Sequence, residues 1–414
     1  MPPESGPRPP HPAVFALLYS PFGVSTGVVG VTLACLATQT GLTVEQGAVL
    51  VASGYLPQMV KFLWAPVTDL TRTRRWWYMW SGLASGVLLF GCLAVPLGPR
   101  TFILLNGLII LMSLASTFQG FACEGFLAHL VPEDQRGKYS GWFQAGNTAG
   151  NAFGGGAGLW LMLHWGRLPT AACLFGLMVV WIPLLFCFPD VPAGAAGATV
   201  RRALKQVGRD IGETLRSRVG VLSLLLCFMP VGTGAASSVL AQAAVAAHWR
   251  AGSADVEWTQ GWWGGLACLV GSLAGGYGCK LFGSRGSYAI YGGIMAACTA
   301  AITLCPNTPQ VYLWGVIAYS VITGMTYAAF SAVVLDAIGK GNAATKYNVF
   351  AGVSNVPIWY MGLVLAWAET TWGPKGMLLT ESALGVLGIL VFLAVVALRF
   401  GRSRPPALET AAAP

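Results

Sequence analysis

A carboxylic acid held away from water can act as a switch that binds and releases a proton, and this sequence places one in such a position. Glu124, in TFQGFACEGFLAHL, stands deep in an apolar run, and Lys61, in GYLPQMVKFLWAPVTD, stands in another. A charge at the centre of a bilayer costs about 2.5–3.5 kcal/mol on insertion scales, so it marks a function or a partner. Two readings of Glu124 stay open. It exchanges protons, because loss of water disfavours its charged form, or it pairs with a loop arginine and only fixes a gate. Lys61 either faces an anionic cargo and tunes Glu124, or snorkels to an interface. Asp69 with Arg72, Arg74 and Arg75 reads as a gate cluster, as do Arg136 and Asp336, the latter at the end of a later apolar run.

Neutral polar and aromatic residues set within apolar runs form a second group of candidates. Gln119, Gln144, Asn147 and Asn355 are expected to line a cavity with Tyr55, Trp64, Trp142, Trp263, Tyr327 and Trp359. At helical spacing most such aromatics pack in a core or face lipid, and a minority stack on cargo. Trp76, Trp77, Trp165, Trp249, Trp258 and Trp372 fit an interfacial belt. The ten cysteines lie singly in apolar runs and make no metal-ligand spacing. His129, His164 and His248 sit near the ends of runs. No GxSxG, HExxH or Walker motif occurs, nor any cluster of His, Asp and Glu at one depth. An enzyme, a metal centre and a cofactor are therefore not expected.

These residues must be positioned by membrane helices. Of 414 residues 55% are hydrophobic and only 9% charged, whereas soluble domains carry about 25% charged residues. Apolar stretches fall at 13–36, 46–67, 76–97, 101–128, 139–163, 168–188, 219–247, 258–280, 287–305, 310–335, 345–368 and 375–398. In lipid each must be a helix, because no water satisfies an open backbone. The division is residues 1–12 as a disordered tail, 13–188 as a six-helix bundle, 189–218 as a linker ending in a basic amphipathic stretch, 219–398 as a second bundle, and 399–414 as a tail. Nineteen of the 24 lysines and arginines fall on the side of the two termini and four on the other, with Lys61 within a span. That asymmetry places both termini in the cytoplasm and accounts for the net charge of +9 without a nucleic-acid partner.

The halves echo one another. RWWYMWSG (75–82) resembles RGSYAIYG (285–292), and KYSGWFQAGNTAGN (138–151) resembles KYNVFAGVSNVPIW (346–359), which pairs Asn147 with Asn355. Parallel repeats of six helices, with cargo between them near the midplane, are the construction of the major facilitator superfamily. The expected fold is thus an all-α membrane protein of twelve transmembrane helices in two pseudo-symmetric six-helix bundles. Gly150, Gly154 and Gly158, and Gly271 with Gly275, are spaced for close helix packing.

KFLWAPVTD (61–69) and QGFACEGFLAHLVPEDQRGKYSG (119–141) resemble two signatures of the AmpG-type permeases, the peptide/acetyl-CoA/drug branch of that superfamily. The resemblance implies that Gln119, Lys61 and Asp69 hold family positions and that Glu124 holds the second acidic one. Gly120 stands where the family's first acid would be. No further helices follow the twelfth span, which sets the chain apart from muropeptide permeases and closer to the pyochelin-type siderophore permeases. The resemblance therefore implies a proton-coupled secondary transporter, a monomer in a bacterial inner membrane, importing a small aromatic siderophore or its ferric complex. Alternatives are a muropeptide or drug permease of the same branch, and a membrane sensor that binds ligand without moving it.

Overall fold

A computed structural model describes residues 9–40, 42, 44–192, 200–240, 243–256, 258–259, 263–339 and 342–400. The expected tails and part of the expected linker lie outside these residues. Seven helical runs among the described residues are long and apolar enough to cross a membrane. Two of them, of 41 and 58 residues, are each a pair of passes, reversed at Gly283 (φ 68°) and Gly373 (φ 72°). Glycine enters this left-handed region at little steric cost. Interrupted helices supply the three remaining passes.

In chain order the helices are α1 (12–39), α2 (44–70), α3 (Arg74–Ala94), α4 (Phe102–Leu130), α5 (136–165) and α6 (Arg167–Cys187). The linker helix α7 (Val200–Arg216) follows. The second half holds α8 (218–240 and 243–249), α9 (264–282), α10 (284–304), α11 (Pro309–Ile338), α12 (343–372) and α13 (374–400). Each expected apolar stretch coincides with one of these passes to within a few residues.

The interruptions have local causes. In α2, Pro57 and Pro66 flank a 3-10 turn at Lys61–Leu63, and a proline lacks the N–H that a continuous helix needs. In α8 the helix stops at Phe228, and Gly232 (φ 61°) and Gly234 (φ 70°) turn the chain before it resumes at Ala236. Both α1 and α5 carry π-helical segments, Val28–Leu33 and Phe153–Ala157. The Thr32 hydroxyl lies 2.9 Å from the carbonyls of both Gly154 and Gly155, so the two wide turns share one donor.

Small residues decide which helices touch. A Cβ on Gly150 would lie 2.0 Å from the Ser20 carbonyl oxygen, and one on Gly154 would lie 2.3 Å from that of Val24, so α5 meets α1 backbone to backbone. Gly271 stands in the same relation to Val321, joining α9 to α11. Close packing is thus the role of these spacings.

The buried apolar clusters differ at the two ends of the molecule. At the end carrying the arginine-rich loops, one cluster joins Phe15, Phe126 and Phe143 of the first half to Leu335, Tyr347 and Phe350 of the second. Toward the other end there are two clusters, one around Val28, Leu93 and Leu105 and one around Trp249, Tyr312 and Met377. Neither contains residues of both halves.

Candidate functional site

Between the halves lies a cavity of about 590 Å³. Its walls come from α1 (Tyr19, Phe22, Thr26), α2 (Tyr55, Gln58, Lys61) and α5 (Gln144, Asn147, Thr148, Asn151). The second half contributes the break in α8 (Gly232, Thr233, Ser237) with Cys268, Tyr288, Thr323, Tyr327, Tyr347 and Asn355. Five tyrosines and a row of amides face one another, and Lys61 is the single charged side chain among the described wall residues. The α2 break positions that lysine, whose ammonium lies 5.8 Å from the centre of the Phe22 ring.

Glu124 lies behind this wall. It is fully buried, and its Oε1 stands 3.7 Å from Lys61 Nζ. Its Oε2 accepts a hydrogen bond from Asn348 Nδ2 at 2.6 Å, and the same amide nitrogen donates to the Ala344 carbonyl at 2.8 Å. The acid of one half is therefore held by an amide of the other. A second bridge runs between the halves from Gln144 Nε2 to Ser331 Oγ (2.6 Å), which shares a hydrogen bond with the Tyr347 hydroxyl (3.0 Å).

At the arginine-loop end the two halves are tied together. Asp69, 1% exposed, accepts from the backbone N–H groups of Ala344 (3.3 Å) and Thr345 (2.7 Å) and from the Thr345 hydroxyl (2.6 Å). These N–H groups open α12, where the helix dipole favours an anion. Arg74 pairs with the same carboxylate and also donates to the Thr68 carbonyl. Arg136 reaches Asp336 of α11 at 3.4 Å, and Ser284 donates to that aspartate as well. Gly137 and Gly141 of α5 face Gly276 of α9 so closely that a Cβ on Gly276 would lie 2.6 Å from the Gly141 Cα.

Tyr55, Lys61, Gln144, Asn147, Tyr327 and Asn355 are thus brought to the cavity wall, the repeat pair Asn147 and Asn355 among them. Five expected wall residues are elsewhere. Trp64 turns toward α4 and donates to the Thr117 hydroxyl at 3.0 Å. Gln119 is buried against Gly82 of α3. Trp142 packs edge-on to His11 at the start of α1. Trp263 and Trp359 are 48% and 63% exposed. Each lies on a helix that lines the cavity or borders one that does, but the phase of the helix turns the side chain aside.

Of the gate cluster, Arg72 lies over Trp76 and Arg75 donates to the Phe188 carbonyl (2.8 Å), so both serve the first half alone. Of the three arginines, Arg74 is the one that pairs with Asp69. Among the residues that escaped the sequence reading are Asn348, Thr345 and Ser331, and Glu381, which accepts a hydrogen bond from Tyr319 of α11. The last is an acid within an apolar run, a signal the sequence did carry.

The chain matches the family model of the Major Facilitator Superfamily over residues 15–358 and belongs to that family. It is similar to the anhydromuropeptide permease of Escherichia coli strain K12, at 24% identity over 349 residues, covering 80% of this chain and 69% of that one. Among solved structures it resembles the E. coli fucose:proton symporter (TM-score 0.67, 14% identity, 92% of this chain and 97% of that one). The proton:xylose symporter bound to 6-bromo-6-deoxy-D-glucose is comparable (TM-score 0.65, 15% identity, 93% and 95%). A bacterial homologue of the iron transporter ferroportin, in an outward-facing state, gives a TM-score of 0.61 at 14% identity, with 92% and 98% covered. This is an all-helical, multi-pass membrane transporter, and not an enzyme.

Proposed function

We propose that the protein is a proton-coupled importer in a bacterial inner membrane, moving a compact aromatic anion of the siderophore class by alternating access. The observation that carries this reading is the coupling of one charge to one acid. Lys61 is the single charge among the described residues of a tyrosine- and amide-lined wall, and its partner is the buried Glu124. An anionic group on the cargo competes with Glu124 for Lys61. When it wins, Glu124 loses its cation and takes a proton, because a buried carboxylate without a partner is costly. Cargo and proton then travel together, and each shifts the other's affinity by the same factor.

The arginine-loop end is assigned to the cytoplasm by the positive-inside rule. Asp69 on α12, Arg136 on Asp336 and the α5–α9 glycine contact form the closed inner gate. The separate clusters at the other end fit an outward-facing state. An aromatic-walled cavity of this volume suits a small phenolate–thiazoline ligand, since small-molecule pockets in general run to about 300–1,000 Å³. The protein acts as a monomer, each chain holding its own cavity.

Anhydromuropeptide transport is the second reading, favoured by the curated relative. One experiment separates the two. Uptake of radiolabelled siderophore, free and ferric, is measured in inverted-control and right-side-out vesicles with a proton gradient, with unlabelled anhydromuropeptide as competitor. We expect uptake that an uncoupler abolishes and the muropeptide does not inhibit. Uncoupler-insensitive uptake removes the coupling, and muropeptide competition transfers the cargo assignment to the relative's class. Binding without accumulation identifies a sensor instead.

A further inference from the structure

We propose that Glu381 is a second proton-binding site, placed in the second half, that governs the bend of α8. The proposal rests on geometry around the break in that helix. Between Phe228 and Ala236 the backbone leaves the helix, and three tyrosines bond either this segment or the short helix Ala236–Leu240 that follows it. Tyr288 donates to the Val231 carbonyl at 3.0 Å, and Tyr312 donates to that of Leu240 at 2.7 Å. Tyr319 differs from these two. Its hydroxyl donates a hydrogen bond to Glu381 Oε1 at 2.7 Å, and its oxygen accepts one from the Ala236 N–H at 3.2 Å. A relay therefore runs from the first N–H of the resumed helix, through a phenol, to a carboxylate. Hydrogen bonds to a charged acceptor are roughly twice as strong as neutral ones, and the chain polarises along its length.

Glu381 is 5% exposed and its Oε2 has no hydrogen-bond partner. The groups facing it are the Tyr319 hydroxyl from α11, the Ala236 N–H from α8 and the Cys298 thiol from α10. On its own helix Lys375 is engaged with the Cys305 carbonyl at 3.2 Å. No ion pair to Glu381 exists among the described residues, in contrast to Glu124 with Lys61. A carboxyl group with no cation and a bare oxygen is a place for a proton to settle. Binding it removes the anion that anchors the relay and frees the start of the resumed helix.

The same segment is read from its other side by the cavity. Gly232, Thr233 and Ser237 line the wall, while Pro230 and Val231 pack on Gly385 and Gly388 of α13. Cargo and the second proton would thus act on opposite faces of one unwound stretch, a link that rests on the transport reading above.

The test needs no cargo, so its outcome stands apart from the uptake experiment. Hydrogen–deuterium exchange over residues 229–240 is measured on the full chain in lipid nanodiscs at acid and alkaline pH, corrected for intrinsic rates. It is done in wild type and in a Glu124→Gln background, which silences the first acid. Acid is expected to raise exchange about tenfold in both, as loss of a hydrogen bond to a charged acceptor does. Glu381→Gln, which keeps the shape and one acceptor, should show the raised rate at both pH values. Tyr319→Phe should do the same, and carries the test if the first variant fails to fold. Exchange that stays pH-dependent in these variants, or that matches wild type throughout, overturns the proposal.

Discussion

Lys61 and Glu124 hold each other at 3.7 Å with the acid fully enclosed, so neither can be removed alone without cost. Stripping one partner from a buried pair typically destabilises by about 3–5 kcal/mol. Lys61→Met is therefore expected to lower the melting temperature in detergent, and Lys61→Met with Glu124→Gln to recover much of it while uptake stays lost. Equal melting of the single and double variants would exclude a pair that stabilises the fold. Asp69 is a different case, because besides Arg74 of its own half it accepts three hydrogen bonds from the other half. Asp69→Asn weakens hydrogen bonds to a charged group worth about 1.5–3 kcal/mol each. We expect the closed end to open, and labelling of Cys268 on the cavity wall by an impermeant thiol reagent from outside to fall about tenfold, as 1.4 kcal/mol implies.

Among the elements, two glycine contacts of similar closeness have opposite meanings. Gly150 joins α5 to α1 inside one half, whereas Gly276 joins α9 to α5 across the two. Gly150→Leu should reduce folded yield, seen as loss of the monodisperse peak in size-exclusion chromatography. Gly276→Leu should leave that peak and the melting temperature near wild type, yet shift the Cys268 labelling as Asp69→Asn does. If both variants fail alike, the α5–α9 contact belongs to the fold and not to the gate. Much of this level was legible in the sequence. Apolar length gave the passes, and glycine spacing gave the close contacts, because bilayer thickness and backbone sterics each act locally. The facing of Trp142, Trp263 and Trp359 was not legible, since it depends on helix phase about neighbours that the chain meets only after folding. Glu124 was found because an isolated acid in an apolar run needs a partner. Its partner Asn348 lies 224 residues away and has no such mark.

Across the whole molecule, the arrangement is two bundles joined at one end and apart at the other. The sidedness of that difference can be measured. Cysteine placed at Asp134, in a loop of the joined end, should resist an impermeant maleimide in intact spheroplasts, and cysteine at Gly98 should react. The reverse pattern would turn the molecule over and make the state described an inward-facing one. The reversals at Gly283 and Gly373 bear on how such a molecule moves, since at each a single residue departs from helical geometry. A connection that short has no slack. In the proposed cycle, α12 tilting away from Asp69 carries α13 and Glu381 with it, so the proposed latch at one face of the membrane and the acid beneath the α8 bend would be geared together by the stiffness of a hairpin.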